Sequence, residues 1–113
     1  MNIIDFDKLF TKLVVEGMVT QVAVPFNEHN RNLQKGDICS ISFDSIPFRD
    51  YLLQVCNVSV TSLGRLSNQD LFDEGFLYRP FFEEFMLERG IGVDDTVLKV
   101  DFKVVDRDGE SNL

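Results

Sequence analysis

Apolar side chains near the N-terminus recur with the period of an α-helix. After Asp5, the residues at i, i+3, i+4, i+7 and i+8 are Phe6, Leu9, Phe10, Leu13 and Val14. This spacing places them on one helical face. Asp5 is a residue type that caps helix N-termini, and Gly17 stands where a C-terminal cap belongs. The pattern therefore predicts an amphipathic helix between Asp5 and Gly17.

Three β-prone runs follow without an intervening helical pattern. The first covers 19–25 and ends at Pro25, and the polar stretch after it predicts an exposed loop over 26–35. The second, 38–43, alternates apolar and polar residues. The third, 51–63, is predicted to be the longest strand and to pair with the second as an antiparallel hairpin. Residues 44–50, which include Pro47, are predicted to connect these two strands.

The second half of the chain predicts two helices and a last strand. Ser67 is a helix cap with Asp70 in the third helical position, close to a capping box, and Gly75 ends that helix. Pro80 fits the first turn of a further helix that Gly90 closes. Residues 96–105 predict a final, half-buried strand. Because successive strands lack helices between them, we expect an antiparallel or mixed sheet in an α+β domain.

Composition narrows the class of protein. The chain has 113 residues, of which 44% are hydrophobic and 27% charged, as in a soluble globular protein with a single core. We expect one domain over 1–105 and a disordered polar tail over 106–113. The apolar runs are shorter than the ~20 residues of a membrane span, and no basic segment precedes an apolar one at the N-terminus. These features predict a cytoplasmic protein without a membrane partner.

Charge and cysteine usage limit the classes of ligand. The net charge of −8 opposes non-specific binding of DNA or RNA, but it leaves room for a local pocket or for a basic protein partner. Cys39 and Cys56 lie in predicted strands, and we expect both to be small buried side chains, with a disulfide as the alternative. His29 does not complete a zinc site with them. We therefore expect no metal and no other cofactor.

Four landmarks then line up with one family. They are the predicted helix ending at Gly17, the turn and strand LQKGDICSISF, the helix end LFDEGF and the closing strand VLKVDFKVV. In this order they resemble ASCH domains, a branch of the PUA-like superfamily that includes small bacterial N4-acetylcytidine amidohydrolases. The resemblance extends from about Asp5 to Val105. It implies a small mixed or antiparallel β-barrel flanked by short helices, with an open pocket that binds RNA or a nucleotide-like ligand in many members.

The same resemblance allows the catalytic residues of the amidohydrolases to be compared with this sequence. In the amidohydrolases, a lysine and a threonine in a Gly-x-Lys-Thr loop act with a glutamate near the end of the next helical segment. Here Gly17 and Thr20 match the loop, and Glu74 matches the glutamate. Val19 stands in place of the lysine, and Val22 in place of a second threonine. Valine neither activates a nucleophile nor holds an oxyanion, so the resemblance implies a non-catalytic protein in which Glu74 is the one candidate catalytic residue.

Several polar and basic residues are candidate ligand contacts. Thr20 and Gln21 could hydrogen-bond a base or a sugar, and Arg31, Lys35 and Arg79 could contact phosphate. The alternatives are polar residues on a half-exposed strand and scattered surface cations. If the resemblance holds, we expect a cleft beside Thr20 and Glu74.

Three functional hypotheses follow from the sequence. The first is a non-catalytic ASCH/PUA-like module that recognises RNA or a nucleotide-like ligand. The second is an acidic interaction or inhibitor protein that binds a basic protein partner. The third is a residual N4-acetylcytidine-type amidohydrolase that uses Glu74. The aromatic run 76–82 bears on the second hypothesis, because its side chains either pack in the core or form an interface.

Overall fold

Five strands form one mixed sheet in the computed structural model, which describes residues 2–107. In chain order they are β1 (Ile3–Phe6), β2 (Gln21–Pro25), β3 (Ile38–Phe43), β4 (Ile46–Ser62) and β5 (Thr96–Asp106). Their order across the sheet is β1-β3-β4-β5-β2, with β1 parallel to β3 and every other pair antiparallel. The sheet curls into a half-barrel whose two edges are β1 and β2. The predicted α+β architecture is confirmed.

Three short α-helices lie within residues 2–107. They are α1 (Thr11–Val15), α2 (Asn68–Asp73) and α3 (Arg79–Glu88). Two 3₁₀ turns, Lys8–Phe10 and Leu63–Arg65, precede α1 and α2 respectively. No helix within residues 2–107 is both long enough and apolar enough to cross a membrane.

The N-terminal helix predicted from Asp5 is wrong at its start. Asp5 lies inside β1, whose residues pair in parallel with β3. Ile4 and Phe6 alternate into the core, and this pairing with a distant strand overrides the local helical period. The helical turns begin at Lys8, where the side chain of Asp7 accepts a hydrogen bond from the Leu9 backbone N–H at 2.9 Å.

The hairpin between β3 and β4 is confirmed, but its connection is shorter than predicted. Asp44 and Ser45 form the whole turn, with φ angles of 48° and 66°, as in a two-residue hairpin turn. Pro47 therefore lies in β4 rather than in a loop. Among the described residues, β5 pairs with β4 only from Tyr51 onward, so Pro47 has no described neighbouring strand on that side that would need the missing N–H.

The caps of α2 are confirmed. The Ser67 side chain accepts a hydrogen bond from the Asp70 backbone N–H at 3.0 Å, and the Asp70 carboxylate accepts one from the Ser67 backbone N–H at 2.8 Å. Gly75 follows the helix with a φ of 95°, and an added Cβ there would lie 2.8 Å from the ring of Phe10. A glycine is thus required both by the backbone and by the close approach of the N-terminal segment.

Two hydrophobic cores lie on opposite faces of the sheet. The first fills the half-barrel, and the second lies between the sheet and helices α2 and α3. Strand β5 contributes to both, since Leu98 belongs to the first core and Val97 to the second. The predicted half-buried strand is confirmed along most of its length, but at its beginning Val97, on the face that also carries Lys99 and Lys103, is buried in the second core.

The two cysteines have different environments. Cys39 is buried, and burial raises the pKa of its thiol to about 11. Cys56 is exposed, because it stands at a register shift of β4 between Val55 and Asn57. Both are free thiols, so the expected burial is confirmed for Cys39 and wrong for Cys56.

The C-terminal boundary is only partly described. Strand β5 extends to Asp106, so the first residue of the predicted tail 106–113 belongs to the sheet. Residues 108–113 lie outside the described part of the chain.

Candidate functional site

A cleft of about 260 Å³ lies between the two edges of the half-barrel. Strand β2 forms one side, and the segment that leads from β1 into α1 forms the other. Helix α3 contributes Phe85 and Met86, and Arg89 follows that helix at the same cleft. The cleft exists because β1 and β2 do not pair with each other, so the barrel stays open here.

A buried polar pair lines this cleft. Glu74 is the C-cap of α2 and Gln21 opens β2, and their exposed fractions are only 7% and 2%. The Gln21 amide donates to Glu74 Oε2 at 2.9 Å, and the backbone N–H of Ala23 donates to Glu74 Oε1 at 3.1 Å. The carboxyl group thus ties the end of α2 to the edge strand while it faces the cleft.

Burial changes the acidity of this carboxyl group. It raises the pKa of Glu74 from 4.5 to about 7, because the charged form loses its hydration. The hydrogen bonds from Gln21 and Ala23 act in the opposite direction but are weaker. Asp70 raises the pKa slightly further, and Lys99 lowers it. Both protonation states of Glu74 are consequently populated near neutral pH.

Aromatic rings form an apolar wall of the cleft. Phe10 and Phe85 meet edge to face, with centroids 5.9 Å apart and an interplanar angle of 88°. The ring of Phe76 packs against both rings, with its centroid 5.3 Å from that of Phe10 and 5.0 Å from that of Phe85. Val22 is half-buried and completes this apolar lining from β2. The rings offer surfaces on which a planar group can stack.

One arginine stands at the mouth of the cleft. The guanidinium carbon of Arg89 lies 3.5 Å from the centroid of the Phe85 ring, and Nη1 donates to the Phe85 carbonyl oxygen at 3.1 Å. Nη2 also forms an ion pair with Asp7 on the opposite side. These contacts close the cleft mouth between the C-terminal end of α3 and the N-terminal segment.

The charges lining the cleft are mainly negative. Asp5, Asp7 and Glu74 contribute three carboxyl groups, against the single guanidinium of Arg89. Asp5 accepts hydrogen bonds from the hydroxyl of Ser42 and the backbone N–H of Ser45. Within residues 2–107, no group of three or more His, Cys, Asp or Glu side chains could hold a metal ion.

The loop residues that the resemblance identified, Val19 and Thr20, lie in different environments. Val19 is buried, lines the cleft and gives it an apolar surface. Thr20 is exposed and lines a separate depression beside Lys103. Its backbone instead connects two distant segments. The Thr20 N–H donates a hydrogen bond to the Asp73 carbonyl oxygen, and the Thr20 carbonyl oxygen accepts one from the Phe102 N–H, both at 2.9 Å. The cleft expected beside Thr20 and Glu74 is therefore beside Glu74 alone.

The predicted phosphate contacts do not converge on the cleft. Arg31 and Lys35 are exposed in the segment between β2 and β3. Arg79 donates hydrogen bonds to the Leu66 carbonyl and to Asn68 Oδ1, and thereby ties the start of α3 to the start of α2. Of the six predicted site residues, the cleft brings together Gln21 and Glu74.

Sequence reasoning missed the other half of the site. Asp7, Phe10, Phe85 and Arg89 meet at the cleft, yet Asp7 and Arg89 are 82 residues apart. The helical spacing of the two phenylalanines was visible, but it indicates core packing as readily as a cleft wall. No local signal could have placed Arg89 opposite Asp7.

Comparisons by sequence found no matching family model and no matching curated protein. Solved structures do match over most of the chain. An ASCH domain from Lactobacillus crispatus JV V101 has a TM-score of 0.57 and 17% identity, covering 91% of this chain and 79% of that one. Protein EF3133 from Enterococcus faecalis V583, of the DUF984 family, has a TM-score of 0.64 and 18% identity, covering 94% and 77%. Hypothetical protein PH0355 has a TM-score of 0.61 and 15% identity, covering 91% and 97%.

These likenesses define the class of fold. The chain has the ASCH-like, PUA-like α+β fold: a curled mixed sheet with short helices beside its open edge. The resemblance noted in the sequence is confirmed at this level. Identities of 15–18% show a shared fold and nothing of ligand or activity.

Proposed function

We propose that this protein is a non-catalytic ASCH-like binding module that holds one base of RNA, or of a nucleotide-like ligand, in the cleft. The observation that carries the proposal is the buried Gln21–Glu74 pair in a cleft walled by Phe10 and Phe85. Aromatic rings stack on unpaired bases, while amide and carboxyl groups read their polar edges. At about 260 Å³, the cleft is smaller than the about 300–1,000 Å³ of drug-sized sites, which suits a single ring.

The surroundings of Glu74 support binding rather than hydrolysis. Amide hydrolysis needs an activated nucleophile and donors that hold an oxyanion. Val19 and Val22 supply neither function beside the carboxyl group. Both oxygens of Glu74 already accept hydrogen bonds, from Gln21 and from Ala23. The pair is therefore suited to orienting a bound ring.

Nucleoside titrations test the proposal. We expect at least one of adenosine, guanosine, cytidine and uridine to bind saturably and to shift the NMR signals of the Gln21 side chain and the Ala23 amide. Phe85→Ala should weaken this binding about tenfold, since stacking on an aromatic side chain contributes about 1–3 kcal/mol per base.

Leu87→Ala is the matched control, because Leu87 is an exposed residue of the same helix that does not line the cleft. It should bind like the wild-type protein, and thermal unfolding should confirm that both variants are folded. The same samples, incubated with N4-acetylcytidine, should release no acetate. Turnover that disappears in Glu74→Gln would instead establish the residual amidohydrolase.

A second candidate function has its own observation. Within the aromatic run 76–82, Phe76 and Phe82 are buried, but Leu77 is 87% exposed and Tyr78 and Phe81 are also exposed. Exposed apolar side chains on an acidic protein suit an interface with a basic partner. The run is thus divided between core and surface.

Affinity capture from a cell extract separates the two candidates. Under the first, we expect RNA in the elution at low salt and also at ~0.3 M salt, because the acidic cleft offers no charge attraction to phosphate that salt would screen. One stoichiometric basic protein without RNA, captured at low salt and lost at ~0.3 M salt, would favour the second. Capture of that protein should then fail with the Leu77→Ser variant, whereas nucleoside binding should remain unchanged.

A further inference from the structure

Arg89 shows what kind of group the cleft mouth accepts. Its guanidinium is a planar cation that lies over the Phe85 ring, with 3.5 Å between the guanidinium carbon and the ring centroid. This is well inside the ~6 Å range of cation–π attraction. Asp7 pairs with the same group. The chain therefore already places a planar cation between an aromatic face and a carboxylate.

The charge around the cleft favours such a group. Asp5 and Asp7 outnumber Arg89, Glu74 adds a third negative charge in its ionised form, and the whole chain carries a net charge of −8. Asp7 is partly buried, so its charge is screened less than that of an exposed carboxylate. A phosphate placed here would meet repulsion from these groups, whereas a cation would be attracted.

We propose that the cleft selects a planar organic cation, such as a nucleobase made positive by N-methylation, over its neutral or phosphorylated counterparts. The ligand takes the position of the Arg89 guanidinium on the Phe85 ring. The statement that the cation is a nucleobase rests on the proposed function. The selection for a planar cation rests on the Phe85 ring and the carboxyl groups of the cleft.

Displacing Arg89 from the Phe85 ring requires the movement of one partly exposed side chain. The Arg89 side chain is 40% exposed, so its guanidinium can move into solvent without crossing the protein. A ring in its place would stack on Phe85, with the edge of Phe10 nearby. The Gln21–Glu74 pair would face the polar edge of that ring. Arg89 is thus an internal competitor of the ligand.

Matched nucleosides test the selection by charge. In calorimetric titrations at low salt, we expect 7-methylguanosine to bind about tenfold more tightly than guanosine, and 1-methyladenosine more tightly than adenosine. The 5′-monophosphate of 7-methylguanosine should bind more weakly than the nucleoside. A second pair, benzamidine and benzamide, compares a planar cation with a neutral ring that lacks any nucleoside feature.

Two variants test the position of the ligand. Arg89→Gln removes the competing guanidinium and should tighten the binding of the methylated nucleosides several-fold. Phe85→Leu keeps an apolar side chain but removes the aromatic face, so the preference for the cation should fall to a few-fold or less. Leu87→Ala should keep the wild-type preference.

The outcomes separate this inference from the proposed function. Equal affinity for methylated and unmethylated nucleosides overturns the inference and leaves the binding module intact. Tighter binding of the monophosphate, or weaker binding by Arg89→Gln, also overturns it, because Arg89 would then be an anion-binding residue. If no nucleoside binds, the proposed function fails. The cation selection then stands if benzamidine binds more tightly than benzamide, and is overturned if it does not.

Discussion

Replacing Phe82 by alanine is expected to lower the free energy of unfolding by about 4 kcal/mol. Phe82 has an exposed fraction of 0% and lies in the core between the sheet and helix α3. Its ring meets that of Phe76 edge to face, with centroids 5.0 Å apart. Truncation removes the buried ring and leaves a cavity, which costs about 3–5 kcal/mol for a fully buried phenylalanine.

Urea denaturation followed by circular dichroism measures this change. Leu87→Ala is the control on the same helix, and its free energy of unfolding should stay within about 0.5 kcal/mol of the wild-type value, because Leu87 is exposed. A loss below about 1 kcal/mol for Phe82→Ala would mean that α3 does not pack on the sheet as described. The cleft wall formed by Phe85 would then be in doubt as well.

The stability of the protein should fall as the pH rises toward neutrality, and Glu74 should cause much of this fall. Its pKa is raised from 4.5 to about 7 in the folded state, so the folded protein holds this proton more tightly than the unfolded chain. The contribution is fully present below pH 4.5 and is lost as the pH rises through about 7. A shift of this size corresponds to about 3 kcal/mol of unfolding free energy.

Glu74→Gln should remove this dependence. The glutamine oxygen can still accept from Ala23, and the Gln21 amide can turn its oxygen toward the new amide group. We therefore expect the variant to lose less stability than the wild-type protein between pH 4.5 and 8, as measured by urea denaturation at a series of pH values. Glu84→Gln, at an exposed position of α3, should follow the wild-type curve. Parallel curves for wild type and Glu74→Gln would contradict the raised pKa.

A buried carboxyl group that titrates near neutral pH is costly for a fold and typical of a functional site. Here the cost is partly offset by the two hydrogen bonds from Gln21 and Ala23, which also fix the carboxyl group beside the cleft. The same group therefore links the stability of the α2–β2 junction to the chemistry of the candidate site. The two predictions above test the packing of helix α3 and the acidity of Glu74 separately.

Local patterns determined much of the secondary structure. The capping box of Ser67 and Asp70, the glycines at 75 and 90, and the alternation in 38–43 each depend on neighbours within a few residues. Such features can be read directly from a sequence because the interactions that stabilise them are local. The order of these elements was also sufficient to indicate the ASCH-like fold.

Only the tertiary structure decided where β1 lies and what the cleft contains. The helical period of the sequence starts at Phe6 after a cap at Asp5, but the pairing of Ile3–Phe6 with β3 places both residues in a strand. Thr20 and Glu74 looked like neighbours in one site, and the fold turned Thr20 away from it. Asp7 and Arg89 gave no local signal, because their contact depends on how the N-terminal segment and the end of α3 meet across the open edge of the half-barrel. The sequence by itself therefore determined the elements and the class of fold, whereas the site depends on long-range contacts that only the folded chain creates.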